Sequence, residues 1–302
     1  MSVPPSSRTT SVIVSKLRAA GCVFAEDEAR LLISTARTPA DLAAMVDRRV
    51  DGLPLEHVLG WAEFCGLRIA VDPGVFVPRR RTEFLVGQAA ALVRQAAGSA
   101  DQAAALARLA AGPDHPADQV HDRPRAVVVD LCCGSGAMGA ALVAALDGVE
   151  LHAVDIDPAA VLCARRNLTG GQVYEGDLYE PLPSMLRGRV DVLVASPPYV
   201  PTEAIRLLPA EARIHEPWVA LDGGADGLDV VRQVAAAAPQ WLAPGGYLLV
   251  ETSEGQASQT VETIARSGLV PRVVTDDELN ATVVIGTRPT FRSGVAPQAG
   301  RT

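Results

Sequence analysis

Val127-Val128-Val129-Asp130-Leu131-Cys132-Cys133-Gly134-Ser135-Gly136 runs from an apolar stretch into a loop bearing two glycines. The unbroken apolar run at 126–131 reads as a strand covered on both faces, and 137–146 beyond the loop reads as a helix. Strand, tight loop and helix form the first unit of a parallel sheet. In such sheets ligands bind at the carboxyl ends of the strands, and glycines let the backbone approach them closely. Working outward, 151–154, 190–195 and 247–251 read as strands, while 158–167, 228–241 and 258–267 read as helices. Segments 270–274 and 282–285 are closing strands. This alternation predicts an α/β fold with a mainly parallel sheet wrapped on both faces.

The flanks differ. Residues 1–60 read as helices from the spacing of Leu17, Cys22–Phe24 and Leu31–Ile33. Thr38-Pro39-Ala40-Asp41 is a helix start: Thr38 can cap, Pro39 fits the first turn, and Asp41 suits the positive helix end. Phe64, Leu67, Ile69 and Val71 fit short strands around a Cys65-Gly66 turn, so 61–81 is expected to be a β-hairpin linker. Residues 82–111 are alanine-rich and helical. A Pro- and Asp-rich stretch at 112–124 reads as a loop insertion, and 289–302 as a disordered tail. The expected division is a small helical domain at 1–60, the linker, and a main domain at 82–288.

Composition narrows the class. The chain has 302 residues, of which 48% are apolar and 21% charged, a globular profile with no apolar run approaching the roughly 20 residues of a membrane span. Nothing at the N-terminus resembles a signal peptide, so a cytoplasmic location is expected. A net charge of −8 speaks against a nucleic-acid partner, the one candidate basic patch being Arg79-Arg80-Arg81. Five cysteines without zinc spacing predict neither disulfides nor a metal site; Cys132 and Cys133 read as small fillers, with a redox role as the alternative.

The glycine loop admits two ligands. Gly134-Ser135-Gly136-Ala137-Met138-Gly139 fits the dinucleotide fingerprint, with Asp155 following at the end of the next strand. A carboxylate there can accept both hydroxyl hydrogens of a ribose. Asp130 favours S-adenosylmethionine instead. An acid at that strand end suits the amino group of a methionine moiety, directly or through water, and would repel a pyrophosphate.

The strand at 190–195 ends in Ser196-Pro197-Pro198-Tyr199. Two prolines stop the strand and remove two backbone donors, leaving carbonyls free. The Ser196 hydroxyl, the Pro197 carbonyl and the Tyr199 ring then form a rigid array that suits an NH2 group on an sp2 carbon. The bland alternative is a plain strand terminator.

Together these segments resemble the HemK/PrmC family of protein-glutamine N-methyltransferases over about residues 53–286. Leu55-Glu56-His57-Val58-Leu59-Gly60, Glu63-Phe64 with Gly66-Leu67, and Val77-Pro78-Arg79 with Thr82-Glu83 look like its linker and hairpin signatures. Asp130-Leu131 with Gly134-Ser135-Gly136 resembles its cofactor loop, and Glu175-Gly176-Asp177-Leu178 its adenine-contacting segment. Glu211, His215-Glu216-Pro217, Ala220-Leu221-Asp222-Gly223-Gly224 and Asp226-Gly227-Leu228 resemble a stretch characteristic of the family. The resemblance implies a Rossmann-like methyltransferase fold and a helical N-terminal domain that helps grip a protein acceptor. It implies methylation of a glutamine amide, in the GGQ loop of peptide chain release factors for the best-known members, by a monomer. Ser196-Pro197-Pro198-Tyr199 would carry catalysis. Asp130, Cys132, Cys133, Gly134, Ser135, Gly136, Asp155, Asp177, Leu178 and Ser196 would hold the cofactor.

The chain departs from that pattern. Ser196 stands where the family has Asn, Arg80-Arg81 replace its Pro-Glu, Cys132-Cys133 replace Gly-Thr, and Leu279-Asn280-Ala281-Thr282 lacks an expected arginine-bearing segment. SPPY is familiar from DNA amino methyltransferases, so an amino methyltransferase acting on DNA or RNA bases is the alternative. A cofactor-binding protein without catalysis is a third reading. Glu251 reads as an ordinary strand-end charge, with a structural or site role as the alternative, and His57 and His215 as structural residues rather than general bases.

Overall fold

The structure, a computed structural model, describes residues 7–111 and 125–290, without the side chains of 99–111. The insertion expected at 112–124 and most of the expected tail lie outside the described residues. The chain opens with helices α1 (Ser7–Ala19), α2 (Ala25–Thr35), α3 (Pro39–Val50) and the single turn α4 (Leu55–Leu59). Thr38 caps α3, its Oγ1 accepting the Asp41 N–H at 3.1 Å, with Pro39 in the first turn. Leu17, Ala29, Leu32, Met45 and Val58 form the shared core of these helices. One expectation fails here. Cys22 is buried, but Val23 and Phe24 are 81% and 69% exposed, because they fall in the turn between α1 and α2 rather than on a helix face.

Strands β1 (Trp61–Phe64) and β2 (Leu67–Ala70) form the hairpin. Its turn places Cys65 and Gly66 at φ 50° and 73°, the left-handed pair that matches the twist of two-residue hairpins. Phe64 and Ile69 of the hairpin, with Val71, Val75 and Val77 after it, are buried in the core that covers one face of the main sheet.

Helix α5 (Thr82–Ala111) leads to the sheet. The alternating elements are β3 (Ala126–Leu131), α6 (Ala137–Ala145), β4 (Val149–Asp155), α7 (Pro158–Asn167), β5 (Gln172–Glu175), β6 (Val190–Ala195), α8 (Ala210–His215), α9 (Asp229–Trp241), β7 (Leu242–Thr252), α10 (Ala257–Arg266), β8 (Val270–Asp276) and β9 (Ala281–Thr287). The strand order is β5-β4-β3-β6-β7-β9-β8, with β9 antiparallel to both its neighbours and the other pairings parallel. Sequence periodicity had no hold on β5 or α8. Each is short, and β5 is an edge strand with exposed ends.

Side chains alternate across each strand. Val127, Val129 and Leu131 of β3, with Leu248 and Val250 of β7, pack beneath α9 and α10. Val128 of β3 and Leu249 of β7 pack on the face covered by the hairpin, α5, α6 and α7. Asp130 and Glu251 are the next residues in that second register, so both carboxylates point the same way at the carboxyl ends of their strands. Among the described residues, no helix is long and apolar enough to cross a membrane.

Candidate active site

Chain direction across the sheet reverses between β3 and β6, since β3 leads to β4 on one side and β6 to β7 on the other. A crevice forms where two crossovers part in this way. Leu131 and Ala195 are register partners, so Cys132 and Ser196 begin their loops side by side. A cavity of about 900 Å³ opens there, lined by Cys132, Gly134, Asp155, Asp177, Leu178 and by Ser196, Pro197, Pro198 and Tyr199. Asp130, Cys133, Ser135 and Gly136 do not line it.

Those four shape the loop from behind. Asp130 is fully buried; its Oδ2 accepts the Gly139 N–H at 3.0 Å, while Oδ1 has no partner among the described residues. Burial pushes this carboxyl up to about 7, against the Gly139 N–H and with the help of nearby Asp155. Gly136 sits at φ 78° with Leu168 3.0 Å from where a Cβ would stand, so it serves close packing of α6 on α7 rather than ligand contact. The Ser135 carbonyl accepts from Asn167 Nδ2 at 2.8 Å. Burial, with surrounding carboxylates adding to it, raises the thiols of Cys132 and Cys133 well above their usual range.

The cavity side of the loop suits a ligand. Gly134, at φ 54°, has open space where a Cβ would project. Its N–H donates to Asp155 Oδ2 at 2.7 Å, and Asp157 N–H to Asp155 Oδ1 at 2.9 Å. Each carboxylate oxygen retains a lone pair, enough for a pair of ribose hydroxyls. Burial raises the Asp155 carboxyl against those N–H groups. Cys132 and Leu178 hold left-handed backbone at φ 56° and 45°, a strain typical of ligand sites. The orphaned Asp130 oxygen, the open Gly134 and the Asp155 carboxylate fit S-adenosylmethionine.

The other half of the cavity belongs to the tetrapeptide. No described group hydrogen-bonds the Ser196 hydroxyl or the Pro197 carbonyl, so both are available. Tyr199 is fixed instead: its carbonyl accepts from Gln256 Nε2 at 3.0 Å, and its hydroxyl accepts from Arg81 Nη2. Gly223 and Gly227 press directly on this segment. A Cβ at Gly223 would stand 2.7 Å from the Pro198 carbonyl oxygen, and one at Gly227 would stand 2.3 Å from that of Tyr199. The glycine stretch at 220–228 is thus the backing plate of the tetrapeptide, a role the sequence pattern did not reveal.

Two arginine–carboxylate pairs in the cavity wall are not evident from the sequence pattern. Glu251 is not an ordinary strand-end charge: its side chain is 3% exposed, and Oε1 accepts from Arg81 Nε at 3.1 Å while Oε2 has no partner among the described residues. Arg79 donates to both oxygens of buried Glu216, at 2.6 and 2.5 Å. The triple arginine is therefore not a basic patch. Arg79 and Arg81 turn inward onto buried carboxylates, and Arg80 alone is exposed. Only the succession of like charges beside a family signature could have hinted at this. His57 is structural, with Nε2 2.8 Å from the Val75 carbonyl.

Comparison with known proteins follows the same lines. A family model described as "Methyltransferase small domain" matches residues 116–224. The chain is 36% identical over 257 residues to a release factor glutamine methyltransferase of Geobacter sulfurreducens, covering 83% of this chain and 79% of that protein. It is 37% identical over 232 residues to the protein of the same name from Gloeobacter violaceus, covering 74% and 71%. A methyltransferase structure from Pyrococcus furiosus aligns at 17% identity and a TM-score of 0.42, over 55% of this chain and 77% of that one.

Proposed function

The chain belongs to the release factor glutamine methyltransferase family, and from that premise we propose that it methylates the side-chain amide nitrogen of a glutamine in a protein, with a peptide chain release factor as acceptor and S-adenosylmethionine as methyl donor. The observation that carries this reading is the free acceptor pair of Ser196 and Pro197, which opens into the same cavity as the glycine loop.

When bound, S-adenosylmethionine supplies an electrophilic methyl group on a sulfonium sulfur. Asp155 would take its ribose hydroxyls, Asp177 and Leu178 would flank its adenine, and the loop at 132–134, with Asp130 behind it, would face its methionine end. The chain's own residues then orient the nucleophile. The Ser196 hydroxyl and the Pro197 carbonyl each accept one N–H of the amide, which fixes the nitrogen in the cavity. Fixing a reactant in near-attack geometry contributes up to roughly 7–11 kcal/mol. The two bonds strengthen as the nitrogen becomes positive. That nitrogen turns acidic and sheds its proton late, so a strong general base is not required.

In this reading residues 1–60 help grip the protein acceptor, 61–81 join the two parts, and 82–288 carry catalysis, in a monomer acting in the cytoplasm. A net charge of −8 and the inward turn of Arg79 and Arg81 weigh against a nucleic-acid acceptor. The test is methyl transfer from isotope-labelled S-adenosylmethionine, with a purified bacterial release factor and with nucleic acid as acceptors. Label on the glutamine of a Gly-Gly-Gln loop, located by mass spectrometry, is expected. Label in nucleic acid alone would overturn the reading.

A further inference from the structure

The two acceptors at Ser196 and Pro197 satisfy only half of a carboxamide. The NH2 group needs acceptors, but the neighbouring carbonyl oxygen needs a donor, and burying it without one is costly. The cavity wall beside Tyr199 holds such a donor. Arg81 lines the cavity, with Nε on Glu251 and Nη2 on the Tyr199 hydroxyl. Its Nη1 has no partner among the described residues, and a guanidinium has five donors in a rigid fork. Glu251, buried at the last inward position of β7, holds the guanidinium by one oxygen and balances its charge. Tyr199 accepts from Arg81, so its own hydroxyl hydrogen is free to point elsewhere.

Resting on the glutamine reading above, we propose that Arg81 determines specificity by donating to the carbonyl oxygen of the acceptor amide, while Ser196 and Pro197 take the nitrogen. The Arg81 and Ser196 departures from the family pattern thus meet in one acceptor pocket. Charge is balanced at each end: the methyl–sulfur bond breaks as the methyl–nitrogen bond forms, the nitrogen proton leaves to solvent, and Arg81 keeps all its protons. An amine without an adjacent carbonyl gains nothing from this donor, so the pocket selects carboxamides over simple amines.

The experiment compares wild type, Arg81→Gln and Arg81→Lys in single-turnover methylation of a bacterial release factor, with cofactor affinity measured by calorimetry. Arg81→Gln is expected to lower kcat/KM by about 10- to 100-fold, the range of a lost charged hydrogen bond, with cofactor affinity changed less than about twofold. Arg81→Lys, which keeps the charge and one donor at a time, recovers part of the loss and guards against misfolding of the Gln variant. An Arg81→Gln enzyme as fast as wild type, or one weakened equally in cofactor binding, overturns the proposal. A wild type silent on the release factor overturns the substrate reading, and this inference with it. Its signature is distinct, because it appears before any variant is made.

Discussion

Asp130 carries a buried carboxyl lifted from 3.8 to about 7 chiefly by burial. Between those values the folded chain keeps a proton that the unfolded chain has lost. The stability from this group is therefore complete below about pH 4 and is lost as pH rises to about 7 in the ligand-free protein. A cationic ammonium in the cavity, with Asp130 behind the loop, favours the ionised form of that carboxyl, so cofactor affinity is expected to rise between about pH 6 and 8. Asp155 is raised as well, so the comparison with Asp130→Asn isolates the Asp130 share. Calorimetry across that range should show a flatter profile in the variant, and an identical profile would remove Asp130 from the cofactor's reach. Ser196→Ala tests the acceptor side. Losing one bond to a nitrogen that gains charge costs about 1.5–3 kcal/mol, or about 10- to 150-fold in single-turnover rate, with cofactor affinity held. An Ala variant as fast as wild type would leave the Pro197 carbonyl and Tyr199 to orient the nitrogen.

At the level of elements, the site depends on two contacts between segments. The first is the glycine stretch behind the tetrapeptide. Gly223→Ala places a Cβ 2.7 Å from the carbonyl oxygens of both Pro198 and Gly227, and overpacking of this kind costs about 1–3 kcal/mol. Pro198 and Tyr199 must shift, so methyl transfer should fall sharply while cofactor binding, on the neighbouring strands, stays near wild type. The second is Asn167 at the end of α7. Its Oδ1 accepts the Ala70 N–H at 2.9 Å, and its Nδ2 donates to the carbonyls of Ala70 at 2.9 Å and Ser135 at 2.8 Å. One side chain thus ties the hairpin to the cofactor loop. Asn167→Ala is expected to cost about 1–3 kcal/mol in thermal or denaturant unfolding and to weaken cofactor affinity as well. A loss of stability without weaker binding would confine Asn167 to the hairpin.

For the whole molecule, Arg49 is the fastener. Its guanidinium lies between Glu28 of α2, at 2.7 Å, and Glu211 of α8, at 3.0 Å, and donates to the Leu53 carbonyl at 2.8 Å. Arg49 and Glu28 are 11% and 10% exposed, so Arg49→Ala strands a buried carboxylate at a cost of about 3–5 kcal/mol. The N-terminal helices should loosen first, visible as new sites in limited proteolysis before α9 or α10 is cut. KM for the protein acceptor should rise while cofactor affinity is kept. If those helices take no part in acceptor recognition, KM will be unchanged despite the cuts.

Much of this was legible in the chain itself. Long apolar strands, the capped start at Thr38, the Cys65-Gly66 turn, the glycine loop and the Pro-Pro stop are local signals, set by backbone sterics and by side-chain period, and they fell where periodicity put them. Local patterns also marked Asp155 and Ser196 as strand-end residues, because a strand that is apolar to its last residue announces where its polar loop begins. Only the tertiary structure decided the rest. That β6 lies beside β3 brings Ser196 to Cys132 across more than sixty residues of chain, and no local preference encodes that pairing. Arg79 and Arg81 looked like a solvated basic run. Their partners, Glu216 and Glu251, are buried and remote in sequence, and pairing with them fixes two surface-like charges in the cavity wall. The glycines at 223 and 227 stand out in the sequence only as part of a family likeness. Their lack of a side chain matters because another segment's carbonyls occupy the space, and only the packed chain sets that constraint.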